Sequence, residues 1–351
     1  MEFRITSHRT SVHDDDCLIV VRYVGAIFYL QWSPGDLDSA HTQDYLTHLR
    51  ELRDEEGNHN GRLAELALPF EALMNQLAPT SVQAPFSLHD YLYPQWFVLK
   101  ATAIEDNRNI EPVRVNETES PFCRPGVALH SKQMRELDLK SWVPKWYSSH
   151  EIELLADGER HPLLYSPSKV ITKESQTECF FKGLGAGCKG TIHELVTFRA
   201  IDNAINRGAL PSDIRICRLY GLVFDTFGPP HPEKRLVGML LNYINPKQRG
   251  ILGTLQCVAY DKHSHEHSRR WAHDLTEMVA ALHRAGCVWG DAKPENVLID
   301  NNDDVWLIDF GGGYTHGWVD EERQCTKEGD LGALEKIRQW LERLETNCQT
   351  V

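Results

Sequence analysis

No Cys-x-x-Cys pair occurs anywhere in this chain. Its nine cysteines, at positions 17, 123, 179, 188, 217, 257, 287, 325 and 348, are scattered. That spacing excludes a zinc ribbon or a disulfide scaffold and points to reduced thiols. No apolar run approaches the roughly 18 residues of a membrane span, and the first eight residues lack the apolar core of a signal peptide. The expectation is a soluble, cytoplasmic protein with no membrane partner. Basic residues are also in short supply: 37 Lys and Arg stand against 50 Asp and Glu, a net charge of −13. This argues against a broad DNA-binding face, which depends on clustered Lys and Arg, and leaves room only for a local basic patch. Repeats and low-complexity tracts are absent too.

What is present reads as folded protein. Apolar residues make up 41% and charged residues 25%, so long disorder is not expected, and 351 residues suffice for two domains. Residues 18–32 are β-branched and aromatic, with Gly25 placed to turn one strand into the next. Helical periodicity follows over 40–54 and 61–77, the second with Pro69 inside it, where it should break or start a helix. Residues 96–103 read as a strand. The polar stretch 104–128, with Pro112, Pro121 and Pro125, reads as a loop or linker.

From about residue 145 the pattern changes. Short strands are expected at 151–155, 169–172 and 178–182, a helix over 190–206, and strands at 214–224 and 236–243. An amphipathic helix follows over 268–285, carrying Trp271, Leu275, Met278, Val279 and Leu282 on one face with Gly286 as its stop. Residues 297–300 and 305–308, separated by Asn-Asn-Asp-Asp, form a hairpin signal.

The chemistry-bearing residues lie around that hairpin. Before it runs Trp289-Gly-Asp291-Ala-Lys293-Pro-Glu295-Asn296; after it comes Asp309-Phe-Gly311. The Asp-x-x-x-x-Asn spacing followed by Asp-Phe-Gly resembles the catalytic apparatus of the protein-kinase-like superfamily. The resemblance covers roughly residues 145–345. It implies an α+β, two-lobed fold: an N-lobe sheet with one helix over 146–245, and a shortened helical C-lobe over 246–351. Residues 1–145 would be an N-terminal α/β extension, for which the sequence suggests no role.

The same resemblance implies roles. Asp291 would orient an acceptor, with Lys293 and Glu295 beside it as further catalytic groups. Asn296 and Asp309 would hold magnesium, and Lys182 would reach the ATP phosphates with Glu194 as its ion-pair partner. Leu241 and Tyr243 belong to the segment against which adenine would pack, and Asp330 would brace the catalytic loop. ATP and Mg2+ are the implied cofactors.

Departures are equally legible. Trp289-Gly290 stands where the family has His-Arg. No glycine-rich loop precedes Lys182; instead Gly185-x-Gly187-x-x-Gly190 follows it, which also fits a dinucleotide fingerprint but lacks that motif's βαβ setting. No Ala-Pro-Glu segment follows Asp309. The variant set resembles an atypical group of kinase-like proteins abundant in filamentous fungi. Three functions are therefore carried forward: ATP- and magnesium-dependent phosphoryl transfer to a small-molecule or unusual protein acceptor; a pseudokinase scaffold; and an arginine-containing cyclodipeptide synthase of fungal secondary metabolism. The last would take aminoacyl-tRNA as partner, need neither ATP nor magnesium, and use Asp291 or Glu295 as proton acceptor. The run His263-Ser-His265-Glu-His267 has no distant ligand partner and reads as a solvated loop, not a metal site.

Overall fold

The computed structural model describes residues 3–11, 13–54, 59–79, 83–103, 109–116, 136–143, 145–156, 158, 160–184, 189–227, 233–261 and 266–348. The chain divides into two compact units: residues 1–126 with 149–167, and residues 127–148 with 168–351. The sequence expectation set boundaries at 145 and, between the two lobes, at 245. The chain instead crosses between units more than once, because packing, not chain order, decides which segments share a core.

In the first unit, β1 (Phe3–Thr10), β2 (Cys17–Tyr23), β3 (Ala26–Trp32), β4 (Gln95–Thr102) and β5 (Glu111–Val115) lie side by side in that order. β1, β2 and β3 are antiparallel neighbours, and Gly25, at φ +75°, supplies the left-handed turn between β2 and β3. Between β3 and β4 run α1 (Ser39–Arg53), α2 (His59–Ala67), α3 (Glu71–Leu77) and α4 (Leu88–Leu92), long enough a connection for β4 to return parallel to β3. Pro69 does break the helical stretch expected over 61–77: a 3-10 turn at Leu68–Phe70 separates α2 from α3. Asp38 caps α1 by accepting from the His41 amide, and Ser87 forms a reciprocal capping box with Asp90 at α4. Cys17, Ile19, Val21 and Tyr23 point to one face of β2, where they join Phe28, Leu30, Trp32, Tyr45, Leu49 and Phe70 in the unit's main core. β5 corrects the expectation of a loop over 104–128. A prolyl ring at Pro112 is tolerated there because β5 is an edge strand.

Two short strands follow, β6 (Trp146–Tyr147) in the second unit and β7 (Ile152–Leu154) in the first. The second unit continues with β8 (Val170–Thr172), β9 (Glu178–Gly183), β10 (Leu219–Phe227) and β11 (Glu233–Asn242), arranged β6–β10–β11–β9–β8. Its helices are α5 (Lys189–Asn206), inserted between β9 and β10, then α6 (Leu255–Val258), α7 (Ser268–Arg284) and α8 (Lys327–Cys348); the hairpin is β12 (Val297–Ile299) with β13 (Val305–Leu307). β10 starts at Leu219 and not at residue 214: residues 214–218 run irregularly, and Ile216 makes only an isolated bridge to Leu307. α7 buries Trp271, Leu275, Met278, Val279 and Leu282, the apolar stripe visible in its sequence. These side chains share one core with Leu195, Phe198 and Ile201 of α5 and with the hairpin. No described helix is long and apolar enough to cross a membrane.

Candidate active site

Strand register and helix phase bring the first cluster together. Lys182 sits on β9 opposite Met239 of β11, and α5 follows closely enough to turn Glu194 toward it. The Lys182 ammonium lies 2.9 Å from Glu194 Oε1, 2.8 Å from Glu194 Oε2 and 2.8 Å from Asp309 Oδ1. Glu194 is only 1% exposed. Burial pushes its carboxyl above the ordinary range and the Asp309 charge adds to this, while Lys182 and the Phe310 N–H oppose. For Lys182, burial works against the charge, but Glu194 and Asp309 outweigh it and hold the ammonium above its usual value. Burial likewise raises the Asp309 carboxyl, yet Lys182, the Gly311 N–H and the Lys293 charge bring it below the ordinary carboxylate range. The neighbouring Cys217 thiol is pushed up to about 12 by burial, so it offers no nucleophile.

Asp309 itself adopts φ +58°, a left-handed conformation that a non-glycine residue holds only when its surroundings impose it. The restraints are identifiable. Phe310 is fully buried against Phe198 of α5, and Trp289 Nε1 donates to the Ile308 carbonyl at 2.9 Å. Gly312, at φ +68°, has no room for a Cβ, which would stand 2.6 Å from Cys325 Sγ and 2.9 Å from His193 Cδ2.

The second cluster centres on Asp291, whose side chain is buried. Lys293 Nζ donates to Asp291 Oδ2 at 2.6 Å and to Thr315 Oγ1 at 2.8 Å; the Thr315 hydroxyl donates to Asp291 Oδ1 at 3.1 Å. Asn296 Nδ2 donates to the Asp291 carbonyl at 2.9 Å and to Oδ2 at 3.2 Å. Asp330, 1% exposed in the first turn of α8, accepts from the backbone N–H groups of Trp289 (2.9 Å) and Gly290 (2.8 Å) and pairs with His283 Nε2 at 2.8 Å. A carboxylate satisfied this way fixes the backbone leading into Asp291.

The remaining expected residues are less closely engaged. Glu295 occupies the 3-10 turn Pro294–Asn296, and its Oε2 is buried without a hydrogen-bond partner among the described residues. Leu241 packs in the core of the second unit, on β11 between Leu219 of β10 and Phe180 of β9. Tyr243 lies under the Lys169 ammonium, 4.7 Å from the ring centroid, and borders a cavity of about 510 Å3 together with Ile216, Arg218, Ile244 and Trp306. That cavity includes none of Lys182, Asp291, Asn296 or Asp309. Residues 185–188 of the glycine-rich run, and His263 and His265, lie outside the described residues; His267 packs on Trp271 at 5.6 Å between ring centroids. Thr315 went unnoticed in the sequence, since a threonine 24 residues from Asp291 carries no spacing signal.

The donor set suits a hard cation. Asn296 commits its amide nitrogen to Asp291, which leaves Oδ1 for a metal, and Asp309 has a second carboxylate oxygen beyond the one facing Lys182. No group of three or more His, Cys, Asp or Glu side chains assembles a metal site among the described residues. Magnesium needs none, because it takes one or two protein oxygens and completes its shell with water and phosphate.

Residues 214–319 match the protein kinase domain family. The chain is 44% identical over 61 residues to the hormonally up-regulated neu tumor-associated kinase of Homo sapiens, spanning 17% of this chain and 8% of that protein's length. It is 23% identical over 236 residues to the 3-deoxy-D-manno-octulosonic acid kinase of Xylella fastidiosa (strain M12), covering 64% of this chain and 87% of that one. Among solved structures, ROP2 from Toxoplasma gondii, described as a virulence factor with a protein-kinase fold and no enzymatic activity, is similar at a TM-score of 0.38 and 15% identity, over 60% of this chain and 71% of that chain. The match over residues 214–319, together with a sheet carrying one inserted helix and a helical part that follows it in the chain, gives the second unit a protein-kinase-like fold.

Proposed function

We propose that the protein is an atypical phosphotransferase, using ATP and magnesium to phosphorylate a hydroxyl on a small-molecule acceptor. One observation carries this reading: Lys182, Glu194 and Asp309, separated by up to 127 residues in the chain, meet within 2.9 Å. Phosphoryl transfer rests on positioning and charge neutralisation more than on covalent chemistry. Bound ATP would supply the phosphoryl group and magnesium would neutralise its developing charge. Lys182 would hold phosphate oxygens while Glu194 keeps the ammonium aimed. Asp309 and the Asn296 amide oxygen would hold the cation. Asp291 would orient the acceptor hydroxyl and take its proton, with Lys293 and Thr315 keeping the carboxylate in one orientation. The small-molecule class is supported by the relative named as a sugar-acid kinase, which is matched along 87% of its length.

The test incubates the purified full chain with ATP, magnesium and a panel of hydroxylated small molecules, and in a separate arm with charged tRNA. Products are identified by mass spectrometry. Phosphorylated product that disappears in Asp309→Asn supports the proposal. A cyclic dipeptide formed without ATP refutes it in favour of aminoacyl transfer, because an attacking amine at Asp291 would draw on the same carboxylate. No product in either arm, with nucleotide still bound, refutes it in favour of a pseudokinase scaffold.

A further inference from the structure

Arginines in this acidic chain are usually met by carboxylates: Arg53 by Asp15, Arg62 by Glu51 and Glu65, Arg215 by Asp274, Arg218 by Asp202, Arg270 by Asp304, Arg338 by Glu335. The first unit holds an exception. Arg22 of β2 is only 9% exposed, yet its guanidinium Nη1 donates to two backbone carbonyls, Tyr91 at 3.0 Å and Leu163 at 3.3 Å, and its plane lies over the Tyr91 ring at 4.1 Å. Nearby, Arg4 of β1 and Arg160 both rest on one ring, that of Tyr165, at 4.6 and 5.0 Å from its centroid. None of the three arginines makes an ion pair among the described residues. Burial, and then the Arg4 charge, push the Arg22 pKa down, against the opposing influence of Tyr91 and Tyr29; Arg4 and Arg22 are thus close enough to repel each other.

Concentrated positive charge without a counter-charge is costly in a protein that has 50 carboxylates to spare. We propose that Arg4, Arg160 and Tyr165, set over the buried Arg22, form a binding site in the first unit for a phosphate-bearing ligand. The geometry suits that chemistry. A guanidinium stacked on an aromatic face is held in place while its N–H edge stays free, and that edge matches phosphate oxygens two at a time. Tyr165 acts as the shared support for two such edges, and Arg22 adds positive potential from beneath without needing to touch the ligand. The ligand phosphate would belong either to a small phosphomonoester or to an RNA backbone, and the experiment separates these sources. The site goes beyond the proposed phosphotransferase chemistry and does not depend on it.

The test titrates the full chain with inorganic phosphate, with ribose 5-phosphate and with a short single-stranded RNA, following binding by calorimetry and by fluorescence anisotropy of labelled RNA. The double variant Arg4→Ala/Arg160→Ala removes two exposed side chains, so its thermal melt should equal that of the parent. Binding of the preferred probe should weaken at least tenfold, and Arg4→Lys/Arg160→Lys should recover only part of it. If RNA is preferred, the slope of log K against log salt should fall by about 1.4 in the double variant, at ~0.7 per lost phosphate contact on a single strand. Magnesium-dependent ATP binding should be unchanged, which separates this site from the cluster around Asp309. Parent protein that binds none of the three probes would overturn the proposal. So would a double variant that binds them as tightly as the parent.

Discussion

Glu194→Ala is the perturbation that probes the site most directly. In the parent its carboxylate, almost fully buried, faces the Lys182 ammonium with both oxygens, at 2.9 and 2.8 Å. Hydrogen bonds to charged groups contribute about 1.5–3 kcal/mol each, and stripping one member from a buried pair costs about 3–5 kcal/mol. Lys182 keeps its second partner, Asp309, at 2.8 Å, so the loss should sit below that range, at about 2–3 kcal/mol. At about 2–4 °C per kcal/mol for a domain of 150–250 residues, the melting temperature should drop by roughly 4–12 °C. Lys182→Met should cost a comparable amount, moderated because Glu194, already pushed up by burial, can take a proton once its cation is gone. The double variant should therefore be more stable than the two losses added together, with a coupling of at least about 1.5 kcal/mol in a double-mutant cycle read by denaturant melts. The nucleotide affinity of Glu194→Ala should fall at the same time, since an unguided lysine no longer holds one position. Losses that add to within about 0.5 kcal/mol would refute the account, because they would mean that the two groups do not sense each other.

Asp291→Ala should lower product formation by about 10²–10⁴-fold while the protein still melts as a folded chain; a folded variant with full turnover would make this carboxylate structural. Asp330→Ala should be the most destabilising single change near the site, at about 3–5 kcal/mol, because the amides of Trp289 and Gly290 and the ring of His283 lose their acceptor. Asp330→Asn, which keeps an acceptor oxygen, should recover part of that loss, and equal melts for the two variants would contradict the bracing role. The pH dependence follows from Lys182. Its pKa in the folded protein stands above the ordinary 10.5, so its contribution is complete below that value and fades as the pH climbs through the folded value. Stability measured by denaturant melts should therefore fall more steeply on the alkaline side in the parent than in Lys182→Met, and parallel profiles would count against the pairing.

Legibility in the sequence tracked distance along the chain. Asp291, Lys293 and Asn296 lie within six residues, and Asp309 follows a hairpin whose strands are fixed by apolar alternation and a polar turn. Their mutual placement is a matter of local backbone geometry, so the resemblance carried by their spacing was enough to anticipate it. The Lys182–Glu194 pair was legible through the resemblance, which joins a strand-end lysine to a glutamate of the helix that follows. The N-terminal hairpin and the α7 stripe were visible without it, because periods of 2 and 3.6 report which face is buried.

Tertiary structure decided the rest. β5 was hidden because a polar, proline-bearing edge strand is held by pairing with β4 and not by its own propensity. The start of β10 slipped to Leu219 because Ile216 is drawn away to bridge Leu307. Thr315 reached Asp291, and Arg4 and Arg160 met on Tyr165, through chain reversals that leave no period in the sequence. The sequence by itself determined which residues carry charge and which local elements they ride on, because those depend on neighbours a few positions away. Which charges are neutralised and which are left unpaired depended on long-range packing, and that is set by how the elements bury their apolar faces together.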